Sequence, residues 1–345
     1  MKIVIDDKIP YIKGEAERLG ETVYLRGDSI CAADVRHADV LIIRTRTRCN
    51  RQLLEGSSVR FIATATIGYD HLDTDYLAQA GIAWTNCPGC NAASVAQYIH
   101  SSLLLLDEAG HIQLPHTTVG IVGVGHVGSK VEQAVRALGC RVLLCDPPRQ
   151  ERGEQGFCSL ADIAAQADVV TFHTPLTRSG CHATLHMAGT DFFNRLQRRP
   201  VLINSGRGEV VDEVALKAAL DSGQVRCAVI DTWEHEPNID RGLLERVFLS
   251  TPHIAGYSAD GKANGTRMAL EAVARHFGLD LSFNIQAPML PENYAYSMEH
   301  FSPRHPHAPY LRFYDPRRDS DALKKSPEDF ERLRGDYPLR REFFS

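Results

Sequence analysis

Residues Val119 to Asp146 read VGIVGVGHVGSKVEQAVRALGCRVLLCD. The opening apolar run, Val119–Val124, has the length and composition of a buried parallel strand. Apolar residues then recur every three or four positions, which predicts a helix that ends at Gly139. Residues Arg141–Cys145 form a second apolar run, and Asp146 follows it. The sequence therefore predicts a strand, a glycine turn, a helix and a second strand that ends at an acid.

The glycine turn has the spacing G-x-G-x-x-G. In such turns the first glycine allows the bend, the second lets a pyrophosphate approach, and the third lets helix and strand pack closely. The phosphates lie on the N–H groups at the helix N-terminus, and Asp146 stands where an acid binds the adenosine ribose. An ordinary turn leaves the glycines and the acid unexplained, so we predict NAD as the cofactor. The predicted turn contacts are Gly123, Gly125, His126, Val127 and Gly128.

The composition is that of an ordinary globular protein. The 345 residues are 43% hydrophobic and 23% charged, the net charge is −5, and no apolar run approaches membrane-spanning length. We therefore expect neither nucleic acid nor a membrane as a partner. Nine scattered cysteines indicate reduced thiols and a cytoplasmic protein. Neither the Cys87/Cys90 pair nor His300, His305 and His307 has the further ligands of a metal site, so none is predicted.

Short strands alternate with helices along most of the chain, which predicts an α/β fold. Residues 1 to about 94 are predicted to form one small α/β unit, and a long helix predicted at Asn91–Asp107 leads into the dinucleotide unit. Two loops of the first unit follow strands and carry polar side chains, Arg44–Arg48 and Thr64–Asp70. The three arginines of the first loop are candidates for a phosphate site, although a solvated basic loop is about as well supported.

Three polar residues each follow a strand of the dinucleotide unit: Arg207, Glu236 and His253. Parallel strands bring their carboxyl ends to one edge of the sheet, so these side chains should meet near the glycine turn. An arginine fork can hold a substrate carboxylate, a histidine can take a hydroxyl proton, and a carboxylate can orient that histidine. His235 is a rival base. Together the three residues favour hydride transfer.

Several motifs together resemble the NAD-dependent D-2-hydroxyacid dehydrogenases. Besides the glycine turn, they are Phe172-His-Thr-Pro175, Asn204-Ser-Gly-Arg-Gly208, Asp231-Thr-Trp-Glu-His-Glu-Pro237 and Pro252-His-Ile-Ala-Gly256. The loop at 64–73, Leu144–Arg149 and the end of the chain at 336–344 resemble the branch of this family that acts in vitamin B6 biosynthesis. The resemblance covers almost the whole chain.

This resemblance implies a fold, a reaction and further site residues. It implies a Rossmann-type NAD domain at 95–254, a flavodoxin-like α/β substrate domain at 1–94 and 255–280, and a small α+β dimerisation domain at 281–345. The reaction would be NAD-dependent oxidation of 4-phospho-D-erythronate at the C2 hydroxyl by Arg207, Glu236 and His253. It adds Thr45, Thr66 and Tyr257 as substrate contacts. It also adds Asp146, Thr174, Asp231 and Gly256 as NAD contacts.

Two other interpretations stay open at this point. One is a dehydrogenase for another 2-hydroxy acid such as 3-phosphoglycerate, and the other is an NADH-sensing scaffold that binds partner proteins. The tail predicts a homodimer, because some 65 residues rich in proline bury little core alone while their aromatic residues favour an interface. Its basic pair, Arg340 and Arg341, could then reach the neighbouring subunit's substrate. Folding of the tail onto its own chain is the alternative.

Overall fold

The computed structural model describes residues 1–289 and 307–342. Contacts divide the described chain into two compact units, the first made of Met1–Asn91 and Ser258–Met289 and the second of Ala92–Tyr257 with the described part of the tail. The sequence predicted changes of domain at 94/95 and 254/255 and a separate tail domain from 281. The roles predicted for these domains stay predictions. Among the described residues, no helix combines the length and apolar character needed to cross a bilayer.

Strands and helices alternate along most of both units. The strands are β1 Lys2–Asp6, β2 Glu21–Leu25, β3 Val40–Ile43, β4 Phe61–Thr64, β5 Ala83–Thr85, β6 Thr118–Val122, β7 Arg141–Cys145, β8 Val169–Phe172, β9 Val201–Asn204, β10 Cys227–Ile230 and β11 Leu249–Ser250. The helices are α1 Ala32–Val35, α2 Arg51–Leu54, α3 Thr74–Ala80, α4 Ala92–Glu108, α5 His126–Ala137, α6 Pro147–Glu151, α7 Leu160–Gln166, α8 Thr190–Phe193, α9 Glu213–Asp221, α10 Arg241–Arg246, α11 Ala259–His276, α12 Ala308–Leu311, α13 Arg317–Lys325 and α14 Phe330–Gly335.

The first unit is a five-stranded parallel sheet in the order β2-β1-β3-β4-β5. Its central strands β3 and β4 are buried along their whole length, as expected for parallel strands covered on both faces. Helix α11 packs Ala269, Leu270 and Val273 into the core on one face. The carboxyl ends of β3 and β4 lead into the two polar loops that the sequence singled out.

The second unit is a six-stranded parallel sheet in the order β11-β10-β9-β8-β6-β7. Strand order reverses between β6 and β8, which is where such sheets bind ligands. Helix α4 is buried from Ser94 to Leu106 and supplies Val95, Ile99 and Leu103 to one of the cores of this unit. The prediction of a doubly wound α/β fold is confirmed.

The described tail folds onto the second unit as three short helices. Leu311, Tyr314, Leu323 and Phe330 are buried in the two cores of that unit. Before α14, Pro327–Asp329 form a 3₁₀ turn, and the side chain of the preceding Ser326 makes no capping hydrogen bond. Several aromatic residues and histidines of the tail lie outside the described residues, namely Tyr294, Tyr296, His300, Phe301, His305, Phe343 and Phe344.

Candidate active site

The glycine turn between β6 and α5 has three glycines with three different surroundings. Gly123 has a φ of 86°, and a Cβ there would lie 2.9 Å from the His173 backbone. A Cβ on Gly128 would collide with the Gly123 carbonyl, whereas a Cβ on Gly125 would meet nothing within 4 Å. The turn therefore needs its first and third glycines for its own geometry. The open space at Gly125 fits the close approach of a pyrophosphate.

Asp146 follows β7 and holds the same turn. One of its carboxylate oxygens accepts a hydrogen bond from the Val124 N–H at 2.8 Å, and the other accepts from the Arg149 N–H at 3.1 Å. Arg149 donates in turn to the Val124 carbonyl at 2.6 Å and pairs with Glu154. The predicted ribose contact of Asp146 stays a prediction, and the structure adds that this acid fixes the backbone of the turn.

Three buried hydroxyl groups at the ends of neighbouring strands have no hydrogen-bond partner among the described residues. They are Thr174 Oγ1 after β8, Ser205 Oγ after β9 and Thr232 Oγ1 after β10. Buried polar groups are normally paired, so an unpaired set at the carboxyl ends of parallel strands fits a polar ligand. The nicotinamide end of a dinucleotide has the donors and acceptors to satisfy them. Of the three, only Thr174 was predicted from the sequence.

Glu236 and His253 form a direct pair. His253 Nδ1 lies 2.8 Å from Glu236 Oε2 and 3.1 Å from Oε1, and Oε1 also accepts the Trp233 N–H at 3.0 Å. Burial alone would raise the pKa of Glu236, but the charge of His253, its hydrogen bond, Arg334 and the Trp233 N–H together lower that pKa. The acid is therefore held ionised against Nδ1, which leaves Nε2 as the ring nitrogen for proton transfer.

The loop that carries His253 is fastened by Asp231. His253 has a φ of 56°, a left-handed conformation that is uncommon outside glycine. The buried Asp231 carboxylate accepts hydrogen bonds from Thr251 Oγ1 at 2.6 Å, from the Ile254 N–H at 2.8 Å and from the Ala255 N–H at 3.0 Å. These bonds fix the backbone on both sides of the histidine. The predicted NAD contacts of Asp231 and Gly256 stay predictions.

Arg207 lies in the loop after β9, next to the loop that carries Glu236. Asn204 donates through Nδ2 to the Arg207 carbonyl at 3.0 Å, and a Cβ on Gly208 would collide with the Trp233 carbonyl. The Arg207 guanidinium donates to the Gly206 carbonyl at 2.9 Å. The rival base, His235, is exposed, whereas His253 is the histidine paired with Glu236.

The first unit carries two predicted substrate residues. Thr66 Oγ1 lies 2.7 Å from Thr64 Oγ1 and donates to the Gly68 carbonyl, while Thr45 is exposed in the loop after β3. Of the three arginines in that loop, Arg44 is the partly buried one and pairs with Asp6 at 3.4 Å. Lys262, which sequence reasoning missed, lies near Arg44: burial, together with the charge of Arg44, lowers the pKa of Lys262 to about 8.

Comparison of the sequence with known proteins identifies the family of this chain. A relative from Bacteroides fragilis named erythronate-4-phosphate dehydrogenase is 54% identical over 99% of this chain and 97% of its own length. The chain belongs to the erythronate-4-phosphate dehydrogenase family. A second member, from Edwardsiella ictaluri, is 47% identical over 100% of this chain and 94% of its own length. Residues 102–255 match the family described as D-isomer specific 2-hydroxyacid dehydrogenase, NAD binding domain. The resemblance seen in the sequence is confirmed.

Solved structures share the fold of this erythronate-4-phosphate dehydrogenase family member. A D-lactate dehydrogenase from Aquifex aeolicus, complexed with NAD and lactic acid, is 23% identical, with a TM-score of 0.67 over 81% of this chain and 96% of its own. An NADPH-dependent glyoxylate/hydroxypyruvate reductase from Sinorhizobium meliloti is 26% identical, with a TM-score of 0.69 over 83% of this chain and 96% of its own.

Two tail arginines of this erythronate-4-phosphate dehydrogenase family member reach the loops that carry Glu236 and His253. Arg340 is 1% exposed, lies 3.9 Å over the Tyr314 ring and donates to the Ala255 carbonyl at 2.6 Å. It is buried within its own chain, so the expectation that it reaches a neighbouring subunit's substrate is wrong. Arg334 lies beside Glu236 and the predicted substrate residue Tyr257. Sequence reasoning missed both roles because the partners lie far away along the chain.

Proposed function

We propose that this protein oxidises 4-phospho-D-erythronate at the C2 hydroxyl to (R)-3-hydroxy-2-oxo-4-phosphooxybutanoate, with NAD as the oxidant, in pyridoxal 5'-phosphate biosynthesis. The observation that carries the proposal is the Glu236–His253 pair at the carboxyl edge of an NAD-binding sheet. The 54% identity to a relative named for this substrate supports the choice of acid. We also propose, on the composition alone, that the reaction takes place in the cytoplasm.

The chemistry at C2 separates a proton from a hydride. His253 Nε2 takes the hydroxyl proton while the C2–H bond breaks with its electron pair, and Glu236 stabilises the imidazolium that forms. Bound NAD supplies the acceptor for that hydride. Arg207 holds the substrate carboxylate in parallel hydrogen bonds and aligns C2. Thr174, Ser205 and Thr232 are the hydroxyl groups that would hold the nicotinamide end, and Asp146 would hold the ribose.

The terminal phosphate needs cations, and we assign Arg44 and Lys262 to it. Both are partly buried, and burial together with the charge of Arg44 lowers the pKa of Lys262. A phosphate between them would offset this repulsion with charge-assisted hydrogen bonds. Thr45, Thr66 and Tyr257 stay the proposed partners of the rest of the substrate.

Turnover of three acids tests the proposal. We expect kcat/KM for 4-phospho-D-erythronate to exceed that for D-erythronate by about 10² or more, because charge-assisted hydrogen bonds contribute about 1.5–3 kcal/mol each. We expect 3-phosphoglycerate to be a poor substrate as well. Equal kcat/KM for erythronate with and without the phosphate would contradict the proposal. A higher kcat/KM for 3-phosphoglycerate than for 4-phospho-D-erythronate would favour the alternative interpretation, a dehydrogenase for 3-phosphoglycerate.

We further propose that the protein is a homodimer that uses its tail. Tyr310 and Phe313 are 42% and 48% exposed on the described tail, and exposed aromatic residues are enriched at protein interfaces. The other aromatic rings of the described tail, those of Tyr314, Phe330 and Tyr337, are buried within the protein's own chain. Sedimentation of the intact protein should show a dimer at micromolar concentration, and Phe313→Asp should weaken it. A monomer at that concentration would refute this proposal.

A further inference from the structure

Arg334 connects the tail to the catalytic acid. Its Nη1 lies 3.5 Å from Glu236 Oε2, its Nε donates to the Tyr257 hydroxyl at 3.3 Å, and the side chain is 21% exposed. Arg334 stands in α14, four residues after Phe330, which is 1% exposed in the core of the second unit. Residues four apart lie on the same face of a helix, so the packing of Phe330 turns Arg334 toward the second unit.

The position of Arg334 is fixed from its other side as well. Six residues later Arg340 donates to the Ile254 and Ala255 carbonyls at 3.2 and 2.6 Å, next to the loop of His253. The ring of Tyr337, between the two arginines in sequence, lies edge-on to Tyr257 with 6.2 Å between the centroids. The segment 330–340 is therefore anchored at both ends, and Arg334 lies within the anchored part.

Several charged groups face the Glu236–His253 pair. Glu236 has His253 and Arg334 as neighbouring cations, and burial of the acid opposes its ionisation while these cations favour it. The buried Asp231 interacts with His253, and Tyr257 and Glu331 interact with Arg334. During the reaction His253 alternates between neutral and charged forms. Arg334 stays charged throughout, because a guanidinium does not deprotonate in proteins.

We propose that Arg334 is a positioning residue whose permanent charge keeps Glu236 ionised and aimed at His253 Nδ1 in both states of the histidine. The tail thus completes the catalytic centre of its own chain. This inference rests on the proposed function, since it assigns Arg334 to the proton transfer that His253 performs there. It adds a fourth charged residue to the three predicted from the sequence.

The test compares Arg334→Gln and Arg334→Lys with Arg332→Gln as a matched control. Arg332 stands on the same helix, is 60% exposed and pairs with Asp329. We expect the acid limb of the kcat/KM profile to move up by about one pH unit in Arg334→Gln, because without the guanidinium Glu236 and His253 both hold their protons to higher pH. Arg334→Lys keeps the positive charge, so its profile should lie close to that of the unaltered protein. Arg332→Gln should leave the profile unchanged.

A second measurement does not depend on turnover. The His253 ring proton, identified by its loss from the NMR spectrum of His253→Ala, should titrate at higher pH in Arg334→Gln than in the unaltered protein. An equal fall in kcat/KM at every pH with unmoved His253 titration would overturn the inference, since that is the result of a purely structural role. Absence of turnover in the unaltered protein would refute the proposed function instead, while the titration would still decide the role of Arg334.

Discussion

At the scale of single residues, His253 is defined by what holds it. Glu236 binds one ring nitrogen, and the Asp231 carboxylate binds the N–H groups of the two residues that follow His253. The imidazole is therefore pre-oriented before a substrate arrives, which is the condition under which a general base is most effective. A substitution at this position should affect the chemical step far more than the binding of NAD.

His253→Ala should lower kcat by roughly 10²–10⁴, the usual contribution of a general acid–base group, with the Kd for NAD nearly unchanged. His235→Ala is the control, because His235 is a nearby exposed histidine. Steady-state turnover and NAD titration measure the two quantities. Normal turnover by His253→Ala with loss in His235→Ala would reverse our assignment of the base.

Lys262→Met should raise the KM for 4-phospho-D-erythronate by roughly tenfold or more, because a charge-assisted hydrogen bond to the phosphate is lost. The KM for unphosphorylated D-erythronate should not change, since that acid does not use the site. Lys13→Met, at an exposed lysine of the same unit, is the control. A similar change in KM for both acids would show that Lys262 does not bind the substrate phosphate.

At the scale of elements, the strands were more predictable than the tail. The predicted run Arg141–Cys145 coincides with β7, and the predicted run Val119–Val124 overlaps most of β6, because a buried parallel strand is recognisable from a continuous apolar run. Strand β11 makes a contact with a segment that is distant along the chain. Its Ser250 N–H donates to Ser320 Oγ of α13, 70 residues away, and no local pattern contains that partner.

Some residues of the candidate site could be predicted from local sequence, and others could not. The pairing of Glu236 with His253 was predictable because each follows a strand and parallel strands place their carboxyl ends together, while the roles of Arg207, Glu236 and His253 stay predictions. Arg334, Arg340 and Lys262 were not predictable, because their roles depend on how distant segments pack. Helix α7 is a different case: its capping box, Ser159 with Asp162, is a local signal that the sequence analysis did not use.

Arg340→Met should destabilise the protein by about 3–5 kcal/mol, the cost of removing one partner from a buried charge network. Burial raises the pKa of Asp319 to about 6, and the charge of Arg340 opposes that rise. We also expect kcat to fall, because the carbonyls of 254 and 255 lose their donor. Urea unfolding and turnover measure these effects against Arg312→Met, an exposed tail arginine. Unchanged stability would contradict the anchoring role.

At the scale of the whole molecule, buried histidines set the response to acid. Burial lowers the pKa of His71 and His100 to about 4 and that of His173 to about 3. Each folded pKa lies below the unfolded value of about 6.5. The stability that these neutral histidines contribute is therefore fully present above pH 6.5 and is lost as the pH falls below it. Asp319 has a raised pKa, so the stability that depends on its proton is present at low pH and is lost as the pH rises.

His100→Gln isolates one of these contributions. The difference in free energy of unfolding between the unaltered protein and the variant should fall by roughly 3 kcal/mol between pH 6.5 and 4, at about 1.4 kcal/mol for each pH unit. Urea unfolding across that range measures it. His116→Gln, at an exposed position, should show no such slope. A constant difference for His100→Gln would mean that this histidine is protonated in the folded state.

The anchoring of the tail has a consequence for synthesis on the ribosome. Arg340 stands 86 residues after Ile254, whose carbonyl it binds, so the loop of His253 and its Asp231 contacts leave the ribosome well before Arg340 does. A growing chain that already contains the glycine turn, Arg207, Glu236 and His253 still lacks the tail cations that hold the last two in place. An unfinished chain should therefore bind the dinucleotide before it can oxidise a sugar acid.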